Sequence, residues 1–134
     1  MFGKIDLKTE KRQEILVITK AVEEALAQND IKSGICLLFC PHTTAGLTIN
    51  SYLDPATAKD LVHEFDRLVP TRTDFNHVFD TPSDAAGHIK ASLVGGQVCV
   101  IVEDGKLQLG SSQGILFMEF DGPRSRQVYF KVVQ

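Results

Sequence analysis

The side chains best suited to chemistry begin in a polar segment that directly follows an apolar run. Residues 41–50, PHTTAGLTIN, bring His42, Thr43, Thr44 and Asn50 to the end of the apolar run ICLLFC. A run of that length and composition predicts a buried strand, and loops at the ends of buried strands commonly carry sites. An imidazole titrates near neutral pH and also binds metal ions, so the segment indicates either proton transfer or metal ligation.

Two other histidines are candidates for the same chemistry. His88 lies four residues after Asp84, so a helix would place both side chains on one face, and His77 lies in a loop between two predicted helices. A carboxylate at that spacing can orient a metal-binding imidazole, or it can form an ordinary surface pair. Because the chain has no H-x-x-x-H or C-x-x-C pattern, each histidine also fits a purely structural role. The fourth, His63, is predicted on the polar side of a helix.

Glu119 is unusual because it shares the face of a predicted strand with apolar residues. A charge on such a face is costly unless it is paired. Two readings follow: a buried salt bridge to Arg124 or Arg126, or a carboxylate whose raised pKa suits acid–base catalysis.

A short glycine-flanked loop, GSSQG at 110–114, contains Ser111, Ser112 and Gln113. Its backbone amides and hydroxyls could cradle a phosphate, although an ordinary tight connection has the same composition. Neither a G-x-G-x-x-G nor a Walker pattern occurs, so the sequence does not support a dinucleotide or nucleoside triphosphate site.

The composition limits the class of protein. With 134 residues, 43% apolar and 23% charged, the chain fits one globular domain over residues 1–134. A net charge of −3 without basic runs argues against nucleic-acid partners, and the apolar runs are too short to span a membrane. No signal peptide is recognised at the N-terminus. Cys36, Cys40 and Cys99 lie in apolar contexts and predict buried, reduced thiols in a cytoplasmic protein.

Three helices are expected to position these residues. They run from Thr19 to Gln28, from Pro55 to just before Pro70, and from Ser83 to the Gly95-Gly96 pair. Thr19 and Asp54 are the predicted N-caps, and Pro55 stands at the first helical position. The third helix is expected to bury Ile89 and Leu93.

The remaining residues predict strands. These are an N-terminal strand leading to the apolar run at 15–18, then 35–40, 48–50, 97–102, 106–109, 115–120 and 127–133. The turn at 103–106 is a hairpin signal, so the C-terminal strands are antiparallel. The strand VCVIV at 98–102 is apolar on both faces, which requires cover by a second sheet or by another subunit. The prediction is an α+β protein, a mainly antiparallel two-sheet sandwich that is oligomeric.

Taken together, three stretches resemble the YjbQ-like family, also described as secondary thiamine-phosphate synthase-like proteins. The stretches are PHTTAGLTIN at 41–50 with the following Asp54-Pro55, HIKASL at 88–93, and QGI at 113–115 running to EFDGPR at 119–124. The resemblance covers nearly the whole chain, in order and with similar spacing. The chain departs from the family pattern at Ser51, at Ser112 and in the segment 80–87.

The resemblance implies an α+β subunit assembled as a homotrimer, with a polar pocket near the subunit interface. It implies that His42, His77 and His88 contribute to this pocket. The activity associated with the family joins hydroxymethylpyrimidine diphosphate to a thiazole phosphate to give thiamine phosphate, as a weak or secondary activity.

Two main hypotheses of function follow. In the first, the protein is a transferase acting on a phosphorylated small molecule, with His42, His77, His88 and Glu119 as the catalytic candidates. The candidates for substrate binding are Thr43, Thr44, Asn50, Asp84, Ser111, Ser112, Gln113 and Arg124. A zinc-like ion at His42, His77 and His88, or Mg²⁺ carried with the substrate, would be the cofactor.

In the second hypothesis the protein is a trimeric metal- or ligand-binding protein without significant catalysis. It would keep the same pocket and the same assembly. A third reading gives the motif residues a structural task, in which Thr43, Thr44 and Asn50 form hydrogen bonds in loops and subunit interfaces.

Overall fold

The computed structural model describes residues 1–72, 74–78 and 82–134, and within these ranges the chain is an α+β fold of eight strands and three helices. The elements are β1 (Phe2–Lys8), β2 (Glu14–Val17), α1 (Thr19–Gln28), β3 (Gly34–Phe39), β4 (Ala45–Ser51), α2 (Pro55–Leu68), α3 (Pro82–Val94), β5 (Gln97–Glu103), β6 (Lys106–Leu107), β7 (Gln113–Glu119) and β8 (Ser125–Val133).

The strands form two antiparallel sheets, as the hairpin signals predicted. The larger sheet has the order β1-β8-β3-β5-β6, and the smaller one has the order β2-β7-β4. In the smaller sheet Ala45 pairs with Glu119, and Ser51 pairs with Gln113 at the other end of the same two strands. This register decides which polar residues can meet.

One apolar core is shared by both sheets and α1. Each strand of the larger sheet turns alternate side chains toward this core. In β5, for example, Val100 and Val102 are buried while Ile101 is exposed. The core takes Leu47, Ile115 and Phe117 from the smaller sheet and Val22 and Leu26 from α1, together with inward residues of the larger sheet.

The helix starts were predicted with mixed success. Asp54 caps α2 as expected, since its Oδ1 accepts a hydrogen bond from the backbone N–H of Ala56 at 2.9 Å. The predicted Thr19 cap is wrong: Ile18 is the N-cap of α1, and the Thr19 hydroxyl accepts from the backbone N–H of Ile115 instead. A donor on the neighbouring strand has displaced the local capping bond.

The inward face of α3 was also predicted incorrectly. Ile89 and Leu93 are 41% and 60% exposed, whereas Ala85 and Ala86 are buried. The helix lies close to β4 and the end of β7, and a Cβ added at Gly87 would come within 3.2 Å of the Phe120 carbonyl oxygen. Close approach of backbones selects small residues, so the large apolar side chains of α3 point outward.

The outer face of the larger sheet exposes a row of large apolar side chains. They are Phe2, Ile35, Phe39, Ile101 and Val133.

Cys99 is exposed on β5, contrary to prediction, whereas Cys36 and Cys40 are buried as predicted, and all three thiols are free. Burial raises the pKa of the Cys36 thiol to about 11. Among the described residues no helix is both long enough and apolar enough to cross a membrane.

Candidate functional site

His77, Asp84 and His88 converge at the N-terminal half of α3. His88 Nε2 lies 2.9 Å from Asp84 Oδ2, and His77 Nε2 contacts the same carboxylate oxygen. The two imidazole centroids are 5.1 Å apart, and one ligand atom from each residue lies within 4.8 Å of the other two. Asp84 is 5% exposed, while both histidines are reached by solvent. A buried carboxylate flanked by two accessible imidazoles is suited to holding a cation.

The local sequence explains most of this convergence. Asp84 is in the first turn of α3, and His88 follows one turn later on the same face, as the spacing predicted. The loop between β3 and β4 brings the Thr43 carbonyl oxygen to 3.2 Å from His88 Nδ1. The polar segment that follows β3 therefore orients His88 through its backbone.

The contact with Thr43 fixes which ring nitrogen of His88 is the donor to the backbone. A carbonyl oxygen only accepts, so His88 Nδ1 carries the proton and donates it to Thr43. In the neutral ring Nε2 then presents its lone pair to the Asp84 carboxylate, an arrangement that is repulsive without a positive charge between them. Either a second proton on His88 or a bound metal ion supplies that charge.

The donor set fits a metal ion. Two imidazole nitrogens and one carboxylate oxygen are the ligands that zinc and related divalent ions take in proteins. A histidine ligand commonly donates its second ring N–H to a backbone carbonyl or a carboxylate, which is the geometry of His88 and Thr43. His77, Asp84 and His88 would therefore hold the ion, and Thr43 would orient one ligand.

Arg124 lies beside this cluster and is held by Asp121. Arg124 donates from Nη2 to Asp121 Oδ2 at 2.9 Å and from Nε to the Asp121 carbonyl oxygen at 2.7 Å. Ser83, next to Asp84 in the chain, donates its hydroxyl proton to Asp121 Oδ1. The hydrogen bond to Asp121 raises the pKa of Arg124, and the charges of Glu119 and Asp84 act in the same direction. Arg124 is thus a fixed, half-exposed cation at the edge of the site.

Glu119 forms a buried salt bridge, and its partner is Arg126. The two side chains are 1% and 5% exposed, and Arg126 Nε donates to Glu119 Oε1 at 2.9 Å. Glu119 also accepts from the Thr9 hydroxyl at 2.7 Å and from the Asp121 backbone N–H at 3.1 Å. Arg126 donates in addition to the Thr44 hydroxyl at 2.8 Å. Both carboxylate oxygens of Glu119 are engaged, and buried Thr44 serves the same network.

His42 stands apart from the three-residue cluster. Its Nε2 accepts a hydrogen bond from the backbone N–H of Gln127 on β8 at 2.9 Å. The imidazole therefore takes the place of a strand carbonyl just beyond the end of β3. Burial lowers the pKa of His42, and the nearby positive charge of Arg126 lowers it further. His42 is neutral near pH 7, with its proton on Nδ1.

The other substrate-binding candidates lie at the far end of the smaller sheet. Asn50 pairs with Gly114, and its Oδ1 accepts from the Ser51 backbone N–H at 2.7 Å. Gln113 folds back so that its Oε1 accepts from the Gly110 backbone N–H at 2.8 Å. Six residues of strand separate this end from Ala45, which corresponds to about 20 Å.

Ser111 and Gln113 line a separate cleft of about 530 Å³ at this end, together with Lys20 and Tyr52. Ser112 lies in the same loop, and its carbonyl oxygen accepts from the Tyr52 backbone N–H at 3.2 Å. Within one chain, then, the loop at 110–114 and Asn50 do not join the cluster of His77, Asp84 and His88.

Comparison with known proteins decides the family. Residues 3–134 match the family model described as "UPF0047 protein YjbQ-like". The chain belongs to the YjbQ-like UPF0047 family. UPF0047 protein YugU of Bacillus subtilis is 44% identical over 133 residues, covering 99% of each chain. UPF0047 protein MJ1081 of Methanocaldococcus jannaschii is also 44% identical over 133 residues, covering 99% of this chain and 94% of that protein.

Solved structures of UPF0047 proteins share the fold. A YjbQ/UPF0047 protein from Clostridium acetobutylicum is 41% identical with a TM-score of 0.91, covering 98% of this chain and 99% of the other. A YjbQ-like protein of unknown function from Sulfolobus solfataricus is 28% identical with a TM-score of 0.90, covering 98% and 95% of the two chains. These names give the family and state no reaction.

Sequence reasoning missed two residues that organise the site of this UPF0047 protein. Asp121 links Arg124 to Ser83 at the start of α3, and Thr9 supports Glu119 from the end of β1. The position of Asp121 directly after a buried strand was a usable signal. Thr9 gave none, because its partner is 110 residues away in the chain.

Proposed function

We propose that His77, Asp84 and His88 bind one divalent transition-metal ion, and that this centre acts on a phosphorylated small molecule. The observation that carries the proposal is the contact between His88 Nδ1 and the Thr43 carbonyl oxygen. It leaves His88 Nε2 and Asp84 Oδ2 facing one another, and a cation between them removes the repulsion. Two imidazole ligands favour a zinc-like ion over Mg²⁺, which prefers oxygen ligands and would arrive with a phosphorylated substrate.

Arg124 supports a phosphorylated substrate. Its guanidinium is held by Asp121 on two atoms, and its Nη1 has no protein partner among the described residues. A preorganised cation beside the centre can pair with a phosphate without losing side-chain entropy at that moment. Thr43 is exposed and its backbone contacts His88, so its hydroxyl is a further donor available near the centre. The ion, when bound, would supply charge neutralisation at phosphate oxygens.

The reaction proposed is a weak thiamine-phosphate synthase-like transfer, in which hydroxymethylpyrimidine diphosphate is joined to a thiazole phosphate. Displacement of diphosphate leaves negative charge on the departing group, and Arg124 is placed to stabilise it. A second proposal is binding of metal and ligand without significant catalysis. It is favoured by Glu119, whose two oxygens are committed to Arg126, Thr9 and Asp121, so this carboxylate has no free oxygen to act as a base.

A homotrimeric two-sheet sandwich is the proposed assembly. The support is the outer face of the larger sheet, where Ile35, Ile101 and Val133 stand side by side on adjacent strands. Contiguous exposed apolar surface of this kind usually marks a protein interface. Ile101→Lys should shift the protein to smaller species in sedimentation, and an unchanged mass would contradict the assignment of this face.

A cytoplasmic location is proposed as well, and the three free thiols agree with it.

The metal proposal is tested by elemental analysis of protein purified without a metal-affinity tag. About one transition-metal ion per subunit is expected for the wild type, and His88→Ala should lose it. His63→Ala is the matched control, because His63 is an exposed histidine on α2 outside the cluster. A wild type that contains no metal and takes up none from added Zn²⁺ would overturn the proposal.

The reaction is tested separately. The purified protein is incubated with hydroxymethylpyrimidine diphosphate and thiazole phosphate, and thiamine phosphate is measured. His77→Ala and His88→Ala should abolish the product while the assembly persists. A metal-loaded wild type that forms no product, and that fails to complement a strain lacking thiamine-phosphate synthase, would favour binding without catalysis.

A further inference from the structure

Thr44 lies between the buried ion pair and the metal centre. It is 4% exposed and follows Thr43 in the loop between β3 and β4. Its Oγ1 accepts a hydrogen bond from Arg126 Nη2 at 2.8 Å. The carbonyl oxygen of the preceding residue, Thr43, accepts from His88 Nδ1 at 3.2 Å. The ion pair and the metal centre therefore contact two adjacent residues of one loop.

The peptide unit between Thr43 and Thr44 connects the two contacts. Because this unit is planar, the Thr43 carbonyl group and the Cα atom of Thr44 move together. Thr44 is anchored at two atoms, since its hydroxyl is bound by Arg126 and its carbonyl oxygen accepts from the backbone N–H of Phe120 at 3.0 Å. These two anchors hold the Thr43 carbonyl oxygen in the direction from which it reaches His88.

The guanidinium that binds Thr44 is itself held in place. Arg126 Nε donates to Glu119 Oε1 at 2.9 Å, and Arg126 Nη2 contacts Glu119 Oε2. Glu119 also accepts from the Thr9 hydroxyl and from the Asp121 backbone N–H. Both charged side chains are buried, so water does not replace these bonds. Arg126 is thus a fixed donor that determines where the Thr44 hydroxyl lies.

Thr44 also packs against the helix that carries His88. A Cβ added at Gly87, the residue before His88, would stand 3.3 Å from Cγ2 of Thr44. The backbone of α3 and the methyl group of Thr44 therefore approach closely. The side chain has two separable roles, since the methyl group touches the helix and the hydroxyl binds Arg126.

We propose that Thr44 is a positioning residue of the metal centre, and that its hydrogen bond to Arg126 sets how well His88 binds the ion. The inference rests on the metal site proposed above and goes beyond it, because it makes a buried ion pair that contacts none of the ligands a determinant of metal affinity. Without the bond to Arg126, the Thr43 carbonyl can turn away from His88 Nδ1, and the imidazole loses the contact that aims Nε2 at the ion.

The simpler alternative is that Thr44 only satisfies a buried guanidinium. Loss of its hydroxyl would then lower the stability of the protein and leave the geometry of a bound ion unchanged. The two explanations differ in what they predict for a folded protein saturated with metal.

The first test is the Zn²⁺ affinity of folded protein, measured by competition with a chromogenic chelator. Thr44→Val keeps the methyl contact with Gly87 and loses the hydroxyl. It should bind about tenfold more weakly than the wild type, the lower end of the loss typical for an outer partner of a metal-binding histidine. Thr44→Ala should differ from Thr44→Ser by a similar factor, and this second pair gives the same comparison if Thr44→Val does not fold. Thr48→Val is the matched control, because Thr48 is a half-buried threonine of β4 that pairs with Leu116.

The second test is the visible spectrum of the Co²⁺ protein, which reports the geometry of the ligands around the ion. At saturation Thr44→Val should give bands that differ from those of the wild type in position or intensity. Thr44→Ser and Thr48→Val should give the wild-type spectrum. A variant that is only less stable would also give the wild-type spectrum once it is folded and saturated.

Two results would overturn the inference and leave the metal proposal intact. One is a wild-type affinity and spectrum for Thr44→Val, with no difference between Thr44→Ala and Thr44→Ser. The other is an equal loss of affinity in Thr48→Val, which would mean a general effect of losing a hydroxyl from this part of the fold. A wild type that binds neither Zn²⁺ nor Co²⁺ would overturn the metal proposal itself, and this inference with it.

Discussion

His88 Nδ1 donates a hydrogen bond of 3.2 Å to the backbone carbonyl oxygen of Thr43, although the two residues are 45 positions apart in the chain. Through this bond the loop after β3 determines which nitrogen of His88 is available at the site. The preceding residue of the same loop, His42, makes a different contact, since its Nε2 accepts from the Gln127 backbone N–H.

Metal removal should destabilise the protein. A ligand that binds only the folded state adds about 2.7 kcal/mol when its concentration is 100 times its dissociation constant. Treatment with a chelator should therefore lower the melting temperature of the wild type, and added Zn²⁺ should restore it. His88→Ala should show no response to either treatment, whereas His63→Ala should respond as the wild type does. Equal melting temperatures with and without metal would contradict this expectation.

Breaking the salt bridge between Glu119 and Arg126 should be costly. Glu119→Gln leaves a buried guanidinium without its counter-charge, and loss of one partner of a buried pair typically costs about 3–5 kcal/mol. Urea denaturation measures the free energy of unfolding. Glu64→Gln is the control, because Glu64 forms an exposed, solvent-screened ion pair with Arg67 whose loss should have little effect on the free energy of unfolding. Similar losses for both variants would refute a dominant role for the buried pair.

Gly46 is expected to be essential for the approach of α3 to β4. A Cβ at Gly46 would stand 2.7 Å from the Gly95 carbonyl oxygen, a backbone atom that cannot move aside alone. Gly46→Ala should lower the free energy of unfolding by about 1–3 kcal/mol and weaken metal binding by displacing His88. Gly96→Ala is the control, since its nearest contact is 3.8 Å away. An unaffected Gly46→Ala protein would show that the helix can shift freely.

His42 should make stability depend on pH. Its pKa is lowered in the folded protein from an ordinary value of 6.5, first by burial and then by Arg126. Below about pH 6.5 His42 is therefore protonated in the unfolded chain but still neutral in the folded protein, which favours unfolding. The contribution of His42 to the free energy of unfolding is complete above that pH and falls as the pH drops toward the folded-state pKa.

Comparison of the wild type with His42→Gln isolates this effect from His77 and His88. The difference between their free energies of unfolding should be flat above pH 7 and should change between pH 7 and pH 5. A difference that is constant across this range would rule out a role for neutral His42 as the acceptor for Gln127.

Local signals in the sequence were sufficient for several elements. The pair Asp54-Pro55 gave the start of α2, and the turn at Asp104-Gly105 gave the β5–β6 hairpin, because each depends on a few adjacent residues. Thr19 was misread because a strand N–H 96 residues away took its hydroxyl. Ile89 was misread because side-chain hydrophobicity does not reveal how closely two backbones will pack.

By itself the sequence determined that Asp84 and His88 would share a face, since a helix repeats every 3.6 residues and fixes that neighbourhood locally. It also determined that Glu119 needed a partner. Only the tertiary structure decided that the partner is Arg126, that His77 joins Asp84, and that Asn50 lies at the far end of β4 from the cluster. The reason is physical: contacts across a sheet depend on strand order and register, which the whole core selects and no short segment encodes.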